Sequence, residues 1–526
     1  MDRLNYEPEL VEEGYRGFNL VRYRQEYYAL AQSLGPLDLH KVDEASLKRF
    51  QQSRNCVIGK SLEEAKQILN QILFPDSLLL PTAPLNERPS ASRARFQRIK
   101  FLLSEAISNS LPDRESVKNL QYLIHSFTSL EIRDLLASLP RLNHLNDLLV
   151  QLIRLQKDRI KKTIDPKKKT VAVYFPSPGY REQVGDIAKR LRQKGYHSLT
   201  LIGTVCGDRY EKNEDVFYAG HDIINHMDFL DIFMCPTLMQ NPPAAKKKVY
   251  FLHDIHDSPL GNSDEMKVIS EGLLNYDYLF VPSQPVIDLF EKVIPLARKN
   301  FPGRRICLIK GGYIKLDRCL AYFEKHKKES KVIIYAPTVL GHGLNPFSSL
   351  LPHGAEIIRT LITQFPDYDL IFRPHPHTLH SEVVKDIVAQ FQHHPKFFLD
   401  DNASFYMENY SKPALMVTDI SGTAFTYAFS TLRPVVFFSP SDEELRRTHS
   451  DSRYVGDREK IGCVARNLGE MAQKTNWLLE NKDRFVERIR EFRDSTIFNL
   501  GHAEDYFIEN IEYLLEDRIK EDWVYL

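Results

Sequence analysis

The sequence is short of several things, and each shortage removes a class of function. It has no excess charge of either sign: lysine plus arginine and aspartate plus glutamate both number 70 among 526 residues. Zero net charge gives no global attraction to nucleic acid or anionic lipid. No apolar run reaches the roughly 18–20 residues that a membrane-spanning helix needs. The opening stretch, MDRLNYEPELVEEGYRG, lacks the apolar centre of a secretion signal, so a cytoplasmic location is expected. The six cysteines, at 56, 206, 235, 307, 319 and 463, contain no Cys-x-x-Cys pair, which favours reduced, mostly buried thiols over disulfides or zinc. No internal repeat is evident.

What is present reads as a globular chain too long for one core, so several domains are expected. Residues 1–165 read as a helical accessory or docking domain. Ser61 caps SLEEAKQILNQIL, and SVKNLQYLIHSF, EIRDLLASL and LNDLLVQLIRLQKDRIKK have apolar residues near helical spacing. Pro75, Pro81, Pro84 and Pro89 punctuate a loop. No catalytic motif falls here. The basic run Arg159, Lys161, Lys162 and Lys167 to Lys169 is either a solvated linker or a peripheral membrane contact, worth roughly 1 kcal/mol per basic residue near anionic lipid.

At Thr170 the texture changes to strands alternating with helices, the mark of parallel βαβ units. VAVYF, HSLTLIGT, DIFMCPT, VYFLHD, YDYLFVPS and ICLIKGGY set a first Rossmann-like domain at 166–325. VIIYAPT, DLIFRP, FFLDD, ALMVTDI and PVVFF set a second at 326–465. Residues 466–526 read as helices that pack back across the domains. The pattern is α/β, GT-B-like, with two Rossmann-like domains facing a cleft, an N-terminal helical domain and C-terminal helices.

Four short pieces carry chemistry. His253 and His256 lie in a strand-end loop, where a neutral imidazole is a natural base for a hydroxyl. Arg373, His375 and His377 share a proline-stiffened loop. An arginine fork and a protonated His375 there suit a diphosphate leaving group. Asp419, Ser421, Gly422 and Thr423 lie where a strand gives way to a helix, and small residues let backbone N–H groups approach an anion. Gly311 and Gly312 form a turn ahead of Tyr313 to Asp317. A metal reading of His375-x-His377 lacks a completing set of ligands, so no metal is expected.

Together these pieces resemble the CDP-glycerol glycerophosphotransferase family, which makes wall teichoic acid and related capsules. His256-Asp-Ser-Pro-Leu260 resembles that family's His-Gly-Thr-Pro-Leu, whose histidine is the base. Gly312 to Asp317 resembles its Gly-Tyr-Pro-Arg-x-Asp, Tyr335 to Thr338 its Tyr-Ala-Pro-Thr, Arg373 to Pro376 its Arg/Lys-x-His-Pro, and Asp419 to Ser421 its Asp-Tyr-Ser. The resemblance covers about 250–440. It implies a metal-independent GT-B-like transferase without a cofactor and with the cytidine nucleotide on the second domain. Thr338 and Gly312 join the donor-binding set on this resemblance. The implied partners are a nucleotide-activated donor and a polyol-phosphate or glycan acceptor, free or lipid-linked, with no nucleic acid. Two departures stand out: Asp257 replaces a glycine, and Thr426 stands where an acidic residue is usual. Two histidines compete for the role of base. Strand-end spacing favours His253, and the Pro-Leu anchor favours His256. The alternatives to this reading are a UDP-sugar transferase or UDP-N-acetylglucosamine 2-epimerase-like enzyme, and a non-catalytic GT-B-like scaffold.

Overall fold

The computed structural model describes residues 8–15, 18–23, 26–31, 39 and 56–73, scattered positions between 100 and 131, and 145–526. Short stretches of that last span are excepted: 177, 204–215, 240, 259–268, 270, 300–302, 327–329, 342–346, 402–405 and 451. The four prolines from 75 to 89, most of the two helices expected over 116–139, and Pro259-Leu260 lie outside the described residues. The chain divides into two units, residues 1–151 and 152–526.

The first unit departs from the helix expected at its start. Glu9–Tyr15, Phe18–Tyr23, Glu26–Ala31 and Cys56–Gly59 form a four-stranded antiparallel sheet in that order. These runs are rich in aromatic and β-branched residues, which favour a pleated, half-buried surface. Leu20, Tyr23, Tyr28 and Leu30 are buried. A helix, Leu62–Leu73, follows. Its start is capped reciprocally: the Glu64 amide donates to Ser61 Oγ at 3.1 Å, and the Lys60 amide to Glu64 Oε2 at 2.7 Å.

The second unit is built on two parallel sheets. The first sheet has eight strands in the spatial order Val524–Tyr525, Cys307–Lys310, Tyr278–Val281, Lys247–Phe251, Ile232–Cys235, Thr170–Phe175, His197–Ile202 and Val216–Tyr218. All neighbours pair in parallel except the C-terminal Val524–Tyr525, which is antiparallel to Cys307–Lys310. The second sheet has six parallel strands in the order Phe397–Leu399, Asp369–Phe372, Val332–Tyr335, Leu415–Thr418, Val435–Phe438 and Gly462–Ala465. Most of these strands are buried on both faces, which is why they read as short continuous apolar runs.

Each sheet has one point where the chain order reverses. In the first it lies between Thr170–Phe175 and Ile232–Cys235, and in the second between Val332–Tyr335 and Leu415–Thr418. Ligands of open α/β sheets sit outside the carboxyl ends of strands at such points. The helix Ile314–His326 leads from the first sheet to the second. The C-terminal region packs on both. Phe485, Ile489 and Phe492 of the helix Asp483–Thr496 join the core of the second sheet. Phe507, Ile508, Ile511 and Leu514 of the helix Ala503–Leu515 join the core of the first. Cys56, Cys235, Cys307 and Cys319 are buried free thiols, and Cys463 is half-buried.

Candidate active site

The loop after Lys247–Phe251 carries both candidate bases, and they have opposite surroundings. His253 is exposed. Tyr250 Oη lies 3.1 Å from its Nδ1, and the ring also hydrogen-bonds the Pro236 backbone. Its neighbours come from the reversal point of the first sheet. Pro236 follows Ile232–Cys235, and Tyr180, beyond Thr170–Phe175, meets the imidazole edge-on at 5.9 Å. Tyr313 donates to the His253 carbonyl at 2.7 Å. Loss of water on the side of the ring that these walls cover holds the imidazole pKa below its ordinary value. Asp254 pulls it up, and Lys315 pulls it down. His253 is therefore neutral near pH 7, tethered by Tyr250 and the Pro236 backbone in a residue that is exposed to solvent.

His256, three residues on, has no accessible side-chain surface. Its Nδ1 lies 2.6 Å from Asp257 Oδ1 and its Nε2 3.1 Å from Asp457 Oδ2. The ring stacks on Phe425 at 4.3 Å. With both nitrogens engaged and both faces covered, no edge is left for an acceptor hydroxyl.

The second sheet's loops face this one. Arg373 is ion-paired with Asp400 and lies over the Tyr410 ring at 5.6 Å. His375 Nδ1 accepts the His377 amide at 3.2 Å, and the two rings stack at 5.3 Å. Burial first, and then the neighbouring basic side chains His377, Arg373, His253 and Lys315, push the His375 pKa down to about 4. The protonated His375 expected from the sequence is thus a neutral one, whose Nε2–H remains a donor. Its charge interactions with His253 and Lys315 place the two halves of the cleft within electrostatic reach.

The helix Thr423–Thr431 begins beside Gly422. A Cβ on Gly422 would collide with the Asp254 carboxylate, so glycine permits that close approach. The Thr423 hydroxyl bonds to Tyr410. Ser421 is buried, and its carbonyl accepts from Tyr454 at 3.0 Å.

Three of the expected donor contacts sit inside the scaffold. Asp419 is fully buried. Its Oδ1 accepts the Thr338 and Ile420 amides at 2.9 and 2.7 Å, and its Oδ2 accepts the Ser349 amide and hydroxyl at 2.7 and 2.9 Å. It ties the strand-end loops of the reversal point together. Thr338, held through its amide, is buried in the same knot. Gly312 has φ +97°, and a Cβ there would strike the Phe498 carbonyl. It seats the C-terminal crossover. Asp317 completes that seat by accepting the Gly501 and Ala503 amides at 2.7 and 2.8 Å.

The sequence model of CDP-glycerol:poly(glycerophosphate) glycerophosphotransferase matches residues 250–512, half of the chain. This chain belongs to that family. The matched span opens on the His253 loop and closes in the C-terminal helix. Among solved structures, a variant of the wall teichoic acid polymerase TagF aligns with a TM-score of 0.51 at 14% identity, covering 75% of this chain and 99% of that one. This establishes the GT-B-type fold. A second TagF structure, soaked with CDPG, aligns with a TM-score of 0.46 at 15% identity, over 75% of this chain and all of that one. The UDP-GlcNAc 2-epimerase from Neisseria meningitidis aligns with a TM-score of 0.43 at 14% identity, over 65% and 99% of the two chains. No curated protein matches by sequence.

In this glycerophosphotransferase-family member, several cleft residues escaped the reading of the sequence. Lys315, in the first turn of Ile314–His326, faces Arg373, Asp254 and Glu182. Enclosure, then Arg373, hold its pKa below that of an ordinary lysine, against the pull of Cys319, Asp254 and Glu182. Tyr313 and Lys315 fall within a family-like motif, which was the available signal. Tyr180, Tyr250 and Asp457 carry no local signal, because their roles depend on which distant loop they meet.

Proposed function

We propose that this protein transfers a glycerol-phosphate unit from CDP-glycerol to a terminal hydroxyl of a cell-wall polymer, with His253 as general base. The observation that carries the reading is the open, neutral His253 at one sheet's reversal point, facing Lys315, Arg373 and His375 across the cleft. His253 takes the acceptor proton as the hydroxyl oxygen attacks the phosphorus bearing glycerol. A new P–O bond forms, and the P–O bond to CMP breaks. CMP leaves with the electron pair. The His375 N–H, Lys315 and Arg373 hold the diphosphate and balance the charge gathering on the leaving phosphate. The amides at Gly422 and Thr423 supply further donors. Family membership supports the donor, and the CDPG soaked into TagF agrees with it.

A thermal-shift series with CDP-glycerol, CMP and UDP-GlcNAc tests the donor. A ligand at 100 times its dissociation constant should stabilise by about 2.7 kcal/mol. Stabilisation by UDP-GlcNAc alone would move the assignment to a sugar-nucleotide enzyme, and silence toward all three would favour a scaffold.

The acceptor is best placed as lipid-linked, with the protein peripheral on the inner face of the membrane. No described helix is long and apolar enough to cross a membrane. The exposed Lys161, Lys162, Lys167, Lys168 and Lys169 supply a basic contact instead. Sedimentation with anionic against neutral vesicles checks this, and equal recovery in both would refute it.

A further inference from the structure

A buried charged cluster that this chemistry does not use lies where the two domains of the second unit touch. His256 comes from the first domain, and Asp457 from the helix Arg453–Ile461 of the second. Both imidazole nitrogens face carboxylate oxygens, Asp257 on one side and Asp457 on the other. Nδ1 also lies 3.0 Å from the Asp257 amide, a contact that suits the neutral ring, but the Asp257 carboxylate at 2.6 Å is the nearer partner, and imidazolium, with a proton on each nitrogen, satisfies both carboxylates at once.

The surrounding contacts run across the same seam. Asp257 caps the helix of the other domain: its Oδ2 accepts the Arg453 amide at 2.7 Å and its Oδ1 the Tyr454 amide at 2.9 Å. Ser452 Oγ donates to the Asp257 carbonyl at 2.8 Å. Arg453 reaches Asp288, on the first domain's helix Gln284–Arg298, at 2.9 Å. Asp457 also pairs with Lys460 at 2.8 Å and with Arg453 at 3.8 Å. Tyr454, Phe425 and Phe492 enclose the imidazole, and Lys460 lies over Phe492 at 4.4 Å.

We propose that His256, clamped between Asp257 and Asp457, is a charged latch that holds the two domains closed and so positions His253 against the phosphate-binding loops. His256 is a positioning residue, and only the turnover arm of its test rests on His253 being the base. Loss of its proton leaves one buried carboxylate facing a lone pair, so the latch loosens as pH rises. Burial opposes the charge, but Asp257 and Asp457 outweigh it and hold the pKa above the ordinary imidazole value. The closing contribution is therefore full below that ordinary value and is lost as pH rises through the raised one.

The test uses the full chain from about pH 6 to about pH 10. It reads amide exchange, corrected for intrinsic rates, at 252–258 and 453–461, together with CMP release from CDP-glycerol. In the unsubstituted protein, both segments should lose protection together on the alkaline side. Asp457→Asn keeps the shape and removes the charge. It should move that loss, and the alkaline limb of turnover, down by about one pH unit or more, as expected when a charge partner of an ionised group is removed. His253→Gln should cut turnover by a factor of about 10²–10⁴ and leave protection unchanged. The latch is overturned if Asp457→Asn leaves both profiles in place. It is also overturned if His256→Gln stops turnover with both segments still protected. Should CDP-glycerol give no turnover at all, the donor reading fails and the exchange data still decide the latch.

Discussion

The loop from Leu252 to Ser258 has two halves that teach different lessons. Its first half, His253 and Asp254, opens on the cleft. Its second half, Ile255 to Ser258, is buried against the other domain. Two histidines three residues apart therefore have pKa values displaced in opposite directions. Partial desolvation without a fixed ion pair lowers that of His253, and two bonded carboxylates raise that of His256. Residue type and sequence neighbourhood are nearly the same in the two halves, and the partner each meets across the seam sets the difference.

The sharpest way to break this comparison is to remove each histidine in turn. His253→Gln should cost a factor of about 10²–10⁴ in CMP release, with thermal stability near that of the unsubstituted protein. A fully active His253→Gln would erase the distinction between the halves. Asp457→Ala strips one partner from a buried imidazolium and should lower stability by on the order of 3 kcal/mol, read from the urea midpoint. A neutral result would mean that the buried half carries no charge. Gly422→Ala sharpens the contrast from the opposite wall. The added methyl meets the Asp254 carboxylate, the movable end of its side chain, and turning that carboxylate aside should cost about 0.5–1.5 kcal/mol, seen as a smaller thermal shift with CDP-glycerol.

The smallest effect concerns pH at His375. Its pKa is depressed, so the folded state prefers the neutral ring, and its contribution to stability is lost as pH falls from its ordinary value toward about 4. A bound diphosphate reverses that preference. Donor affinity should rise as pH falls below 7, by less than about tenfold per pH unit, with proton uptake seen by calorimetry in two buffers. No uptake would place His375 away from the phosphates.

Much of the frame was legible because buried parallel strands leave a plain signal. Ile371-Phe372, Leu415 to Val417 and Val435 to Phe438 read as apolar runs ending in turn residues, and they are strands ending at one edge. The antiparallel sheet at 9–59 was missed. Its runs are short, and period-two patterns such as FNLVRY are weak until their partners are known. At the site, motif residues divided in a way the sequence does not mark. Arg373 and His375 line the cleft, whereas Asp419, Thr338 and Gly312 hold the loops that line it.

By itself the sequence determined the two βαβ domains, the edge on which the polar loops gather and the family, because periodicity and short ordered motifs are local properties. Only the tertiary structure decided which histidine is open. Asp457 lies 201 residues beyond His256, and a contact so far along the chain is set by how two domains pack, which no local pattern encodes.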